Sequence, residues 1–162
     1  MSVNLVTTDS VRAVLGVSAQ ELPDTVLTNS IYATQLREDM FDMHPQMTAD
    51  FATLSALTDV TSDQERFLDL AQAYAAYNVA WQCLTSLPMF APQTIKDEKS
   101  ELTRNADFYA QLRTDVGAVL DKLGARLRRA YAAVNANAPA PVTVDRIFGL
   151  AVGLASDPVT GA

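Results

Sequence analysis

"SDQERFLDLAQAYAAYNVAWQCLTSL", Ser62 to Leu87, is the stretch whose reading decides the fold. Phe67, Leu70, Tyr74, Tyr77, Trp81 and Leu84 return every three or four residues, the period of one helix face; a strand would alternate them in twos. Ser62 and Glu65 have capping-box spacing, and Asp63 adds negative charge to the first turn. Pro88 closes the run. The spacing predicts an amphipathic helix of about six turns.

Upstream of it, "TTDSVRAVLGV" (Thr7–Val17) reads as a short helix with Thr8 as N-cap, Val11, Val14 and Leu15 as its apolar face and Gly16 as its stop. Ser18 and Glu21 again have capping-box spacing, and Pro23 and Asp24 suit the first turn of a second helix. Its apolar positions are Leu27, Ile31, Leu36, Met40, Met43 and Met47, with Pro45 ending it near His44. A short helical segment with Phe51, Leu54 and Leu57 follows.

Downstream, "PMFAPQTIKDEK" (Pro88–Lys99) reads as a connecting loop with Met89 and Phe90 exposed, and no two-residue hairpin is evident. The longest expected element runs from about Ser100 to Asn135. Leu102, Tyr109, Leu112, Val116, Val119, Leu123, Leu127, Ala130 and Val134 keep a nearly heptad rhythm along it. A helix of that length, roughly 50 Å, outruns the ~13 Å gyration radius of a small domain. The expectation is therefore an all-α fold, an antiparallel helical bundle with one long protruding helix. Phe67, Tyr74, Trp81, Tyr109, Leu112 and Leu123 form the candidate core. The domain spans residues 1–135, and residues 136–162, entered through Pro139 and Pro141, form an extended C-terminal arm.

Charge and composition narrow the function. The chain has 162 residues and a net charge of −7. Residues 1–95 hold 11 acidic and 3 basic side chains, and residues 96–135 hold 6 and 8. Arg126, Arg128 and Arg129 are the one basic cluster, placed where a helix C-terminus favours cations, so strong DNA binding is not expected. No apolar run reaches the ~18–20 residues of a membrane span, and no basic-then-apolar leader opens the chain. Cys83 is the single cysteine and excludes a disulfide framework. It lies in an apolar run and reads as a core residue. His44 is the single histidine. Neither has a partner set for nucleophilic catalysis, and Glu38 with Asp42 reads as a solvated helix face. The Glu-x-x-His pairs of a helical di-metal site are missing. No enzyme, metal or cofactor is expected.

Two stretches carry a resemblance. "VTTDSVRAVLGVSAQELPDTVL" (Val6–Leu27) resembles the N-terminal signature of the head–tail adaptor, or connector, proteins of tailed bacteriophages: a short helix ending in Leu-Gly-Val, then an "ELPD" segment. "LPMFAPQTIKDEKSELTR" (Leu87–Arg104) looks like that family's loop into its last long helix, with Phe90, Ala91, Pro92 and Ile95 as matching positions. The resemblance implies a structural protein of the virion, made in the host cytoplasm. It implies a homo-oligomeric ring, commonly of twelve copies, docked beneath the portal protein at the head–tail junction. The ring would extend the DNA channel, pass DNA without specific binding, and offer a surface to tail or neck proteins. Expected contacts with the portal, or as second choice with an adjacent subunit, are Arg146, Ile147, Phe148, Leu150, Val152 and Leu154 of the arm; Met89, Phe90 and Ile95 are the expected loop interface. The alternative is a cytoplasmic helical-bundle regulator or chaperone that binds one protein partner.

Overall fold

The computed structural model describes residues 5–84, 94–97, 100–103 and 106–135. These are mostly helical: α1 (Thr8–Leu15), α2 (Asp24–Leu27), α3 (Ser30–Met43), α4 (Met47–Leu54), α5 (Ser62–Cys83), a hairpin of β1 (Thr94–Asp97) and β2 (Ser100–Thr103), and α6 (Ala106–Val134). The arm expected at 136–162 lies outside the described residues, as do Met89 and Phe90.

The helix starts follow local hydrogen-bond chemistry and correct the expected caps by one residue. Thr7, not Thr8, caps α1, its hydroxyl accepting from Ser10 N–H at 3.2 Å. Thr61, not Ser62, caps α5: Gln64 N–H donates to Thr61 Oγ1 at 3.4 Å and Thr61 N–H to Gln64 Oε1 at 2.9 Å, a complete capping box. Gly16 stops α1 in the left-handed region at φ 63°, its N–H bonded to Arg12 C=O. His44 ends α3 with extended backbone before Pro45, as the proline requires.

Two expected elements break. The helix expected to begin near Pro23 is two: α2 ends at Leu27, and Asn29 caps α3 by accepting from Ile31 N–H at 3.1 Å. The polar run Thr28-Asn29-Ser30 offers the backbone side-chain partners that compete with continuing the helix. Ile31, expected on the apolar face, is consequently 55% exposed, and Leu57, beyond the end of α4, is 51% exposed. The loop expected through Lys99 and the helix start at Ser100 are replaced by the hairpin. Thr94 pairs with Thr103 and Ile95 with Leu102, in antiparallel register across a two-residue connection. β-Branched Thr94, Ile95 and Thr103 suit extended backbone better than a helical first turn, so α6 begins at Ala106.

The core is built around α5. Phe67, Ala71, Tyr74, Ala75, Ala76, Asn78, Val79, Ala80 and Cys83 are all buried, so its second half is covered on several sides rather than along one stripe. α1, α3, α4 and α6 all touch it. The seam with α6 is the most extensive. There Phe67 meets Tyr131, Tyr74 faces Gly124, and Trp81 faces Gly117. Each seven-residue step up α5 matches a seven-residue step down α6, so the two helices run antiparallel in one constant register. Large rings on α5 are accommodated by two glycines on α6, the interdigitation that close packing demands.

Phe67, Tyr74 and Tyr109 are buried, while Trp81, Leu112 and Leu123 are half-buried against the core. Trp81 carries the Arg113 guanidinium over its ring at 5.0 Å, a cation–π contact at the edge of the seam.

Candidate functional site

Three polar constructions stand out from the packing, and each joins segments distant in sequence.

The first lies where the α5–α6 seam meets α4. Tyr131, buried near the C-terminus of α6, donates its hydroxyl to Asp50 Oδ2 on α4 at 2.5 Å and accepts from Asn135 Nδ2 at 3.5 Å. The His44 ring lies 4.7 Å from the Tyr131 ring, tilted by 50°, and Phe67 packs on Tyr131 at 5.3 Å. His44 Nδ1 accepts from Gln46 N–H at 3.2 Å, which places the neutral-ring proton on Nε2. Burial, and then donation to the Asp50 carboxylate, push the Tyr131 hydroxyl up to about 12. A phenol held that tightly is a poor acid or nucleophile near neutral pH. Its geometry suits a strut tying α4 to the last turn of α6.

The second is Arg12, charged yet buried, with 7% exposure. Its Nε donates to Leu22 C=O at 2.9 Å, its Nη1 to Asp9 at 3.1 Å, and its Nη2 to Asp24. Ser18 N–H donates to Glu21 Oε2 at 2.8 Å and Glu21 N–H to Ser18 Oγ at 3.3 Å, so the expected capping-box pair is formed. The hydrogen bond from Arg12, with a smaller one from Thr8, holds the Asp24 carboxyl below its ordinary value. Leu22, 1% exposed, plugs the corner these residues make. The Val6–Leu27 stretch is therefore one locked unit built on Gly16, Arg12 and Asp24. Sequence reasoning misses Arg12, because one arginine on a helix carries no sign of its partners.

The third crosses from α3 to α5. Asn78, 1% exposed, donates to Asp39 Oδ2 at 2.6 Å and accepts from Gln82 Nε2 at 2.5 Å. Cys83 is buried, and burial pushes its thiol up against a smaller opposing hydrogen bond from Tyr32, which leaves little thiolate for chemistry. Glu38 and Asp42 lie on the exposed side of α3.

Among the described residues, no three His, Cys, Asp or Glu side chains gather as a metal-binding group, and no helix is long and apolar enough to cross a membrane. Of the expected partner contacts, Ile95 lies in β1 opposite Leu102. Arg146, Ile147, Phe148, Leu150, Val152 and Leu154 lie outside the described residues. Comparison of the chain with protein-family models, with curated proteins and with solved structures finds no match.

Proposed function

We propose that this chain is a structural head–tail adaptor of a tailed bacteriophage. Its copies form a ring, of about twelve by analogy with the family it resembles, beneath the portal protein at the head–tail junction. There the ring extends the DNA channel and presents a surface to tail or neck proteins. The observation that carries the reading is the Val6–Leu27 stretch. The residues that give it its resemblance, Leu15-Gly16-Val17 and Glu21-Leu22-Pro23-Asp24, are those from which the Arg12-locked corner is built. The acidic balance of the chain agrees with a channel that lets phosphates pass without gripping them. The long α6, about 43 Å at ~1.5 Å per residue, provides a wall element of suitable reach.

Residues 136–162 act as an arm in this reading, with Ile147, Phe148, Leu150, Val152 and Leu154 as the apolar anchor and Arg146 beside them. Burying three or four such side chains at about 1.5–3 kcal/mol each is a useful hold, multiplied around a ring. The test is electron microscopy of the protein mixed with a portal ring from the same source. Intact chains should decorate one face of the portal as a closed ring. Chains lacking residues 138–162 should keep their melt and fail to attach. Normal attachment by the truncated chain would overturn the role of the arm, and absence of any attachment by the intact chain would overturn the adaptor reading.

A further inference from the structure

Two exposed helix faces on this chain complement each other and cannot meet within one copy's seam. On α3, Ile31, Thr34, Glu38 and Phe41 follow at three, four and three residues, one line along the side opposite buried Leu36 and Met40. Ile31 and Phe41 are 55% and 54% exposed, two of the four large hydrophobic side chains so exposed among the described residues. Glu38 and Asp42 are exposed between and beside them and outnumber Arg37, the one basic residue of α3, exposed on the flank of the line. On α6, Lys122, Arg126 and Arg129 follow at four and three residues, all exposed, on the side away from buried Val116, Leu120 and Leu127. Among the described residues the ion pairs are those of Arg12, so neither line is neutralised by another described side chain.

The basic line asks for an explanation. Like charges at i, i+4 repel along a helix, and the chain as a whole carries −7. The helix dipole does not supply one, because it acts within the last turn and the last turn of α6 holds no basic residue. An acidic partner lying across the line does. The α3 line matches it in sign, and in length as well: about 15 Å from Ile31 to Phe41 against about 11 Å from Lys122 to Arg129, at ~1.5 Å per residue.

We infer that the α6 line of Lys122, Arg126 and Arg129 docks on the α3 line of Ile31, Glu38 and Phe41 of a second copy of this chain. The mating surfaces are different, so the contact is heterologous: each copy keeps one free face of each kind, and the assembly continues until it closes. The inference rests on the ring reading above for closure, and on these two faces for the contact itself. One helix laid on another falls short of the ~1,000 Å² of a stable pairwise interface. Two copies in solution should therefore associate weakly, and closure of the ring supplies the strength.

Weak contacts are best read by cross-linking. Thr34→Cys on the α3 line and Ala125→Cys between Lys122 and Arg129, exposed uncharged positions that leave every charge of both lines in place, are prepared as separate chains that both keep buried Cys83, and are joined with a short bis-maleimide. The mixture should cross-link at least tenfold faster than either variant alone, and added salt should slow it. Lys122→Glu with Arg129→Glu in the Ala125→Cys chain should return the rate to that of the unmixed variants with its melt unchanged. A mixed rate no higher than the unmixed ones overturns the contact. So does faster cross-linking within one variant, which would mean a self-complementary dimer. Retention of duplex DNA that is lost with Lys122→Glu and Arg129→Glu, without mixed cross-links, assigns the α6 face to nucleic acid and overturns it too. Portal decoration by a chain that fails to cross-link removes this contact and spares the adaptor reading. Cross-links without portal decoration do the reverse.

Discussion

Gly117 and Gly124 sit inside a long helix, where each costs about 1 kcal/mol relative to alanine. A Cβ added at Gly124 would lie 3.5 Å from Tyr74 Cε2 and 3.4 Å from the mobile end of Met43, and one at Gly117 would lie 3.4 Å from Trp81 Nε1. A methyl group therefore fits at van der Waals contact, and at Gly124 a longer side chain would press on the buried Tyr74 ring. Gly124→Ala is expected to leave stability unchanged or raise it by up to about 1 kcal/mol, whereas Gly124→Leu should lower it by roughly 1–3 kcal/mol through overpacking. Urea unfolding of the two variants decides between them. On the opposite helix, Tyr74→Ala should cost more than Trp81→Ala, because the Trp81 ring is only half-buried. About 3–5 kcal/mol is the range for a fully buried large ring, and Trp81 should fall below it. None of this was legible in the sequence, where a glycine in a helical rhythm reads only as a weakness. Its meaning depends on which ring faces it.

Among the elements, the end of α6 and the α1–α2 corner respond to pH in opposite directions. Tyr131 is held at about 12 against an ordinary value of 10.0. The folded state keeps this proton more tightly, so the contribution is complete below pH 10 and is lost as pH rises towards 12. Tyr131→Phe should cost about 0.5–1.5 kcal/mol at neutral pH and should flatten the fall in melting temperature across that alkaline window. Asp24 is lowered from 3.8. Its contribution is present above that value and lost as pH falls through the folded one. Arg12→Ala should unlock the corner at a cost of about 1.5–3 kcal/mol, the range for a hydrogen bond from a charged group, because its buried Nε–H bond to Leu22 C=O is lost. It should also remove the share of the acid-side dependence that Asp24 contributes.

At the scale of the whole molecule, the mostly helical character and the partnership of the two longest helices were readable from the spacing of Phe67 through Leu84 and Tyr109 through Leu127. The places that misled have physical causes. Adjacent hydroxyl residues, Thr7-Thr8 and Thr61-Ser62, can each cap, and since Gln64 and Glu65 both lie at capping-box distance from one of the second pair, spacing alone does not choose between them. Leu27 and Ile31 keep helical spacing across a break that only the polar run between them reveals. Asp50 and Tyr131 are 81 residues apart, and no local pattern links them.

The constant register between α5 and α6 also fixes how this protein can change in length. Deleting one residue from the middle of either helix turns everything beyond it by about 100° and sets Tyr74 or Trp81 against side chains in place of glycines. Seven residues removed from both helices together would leave each ring within about 20° of its old direction and restore an aromatic–glycine match. Descendants of this chain should therefore lengthen or shorten this pair only in matched sevens, and absorb single insertions outside it.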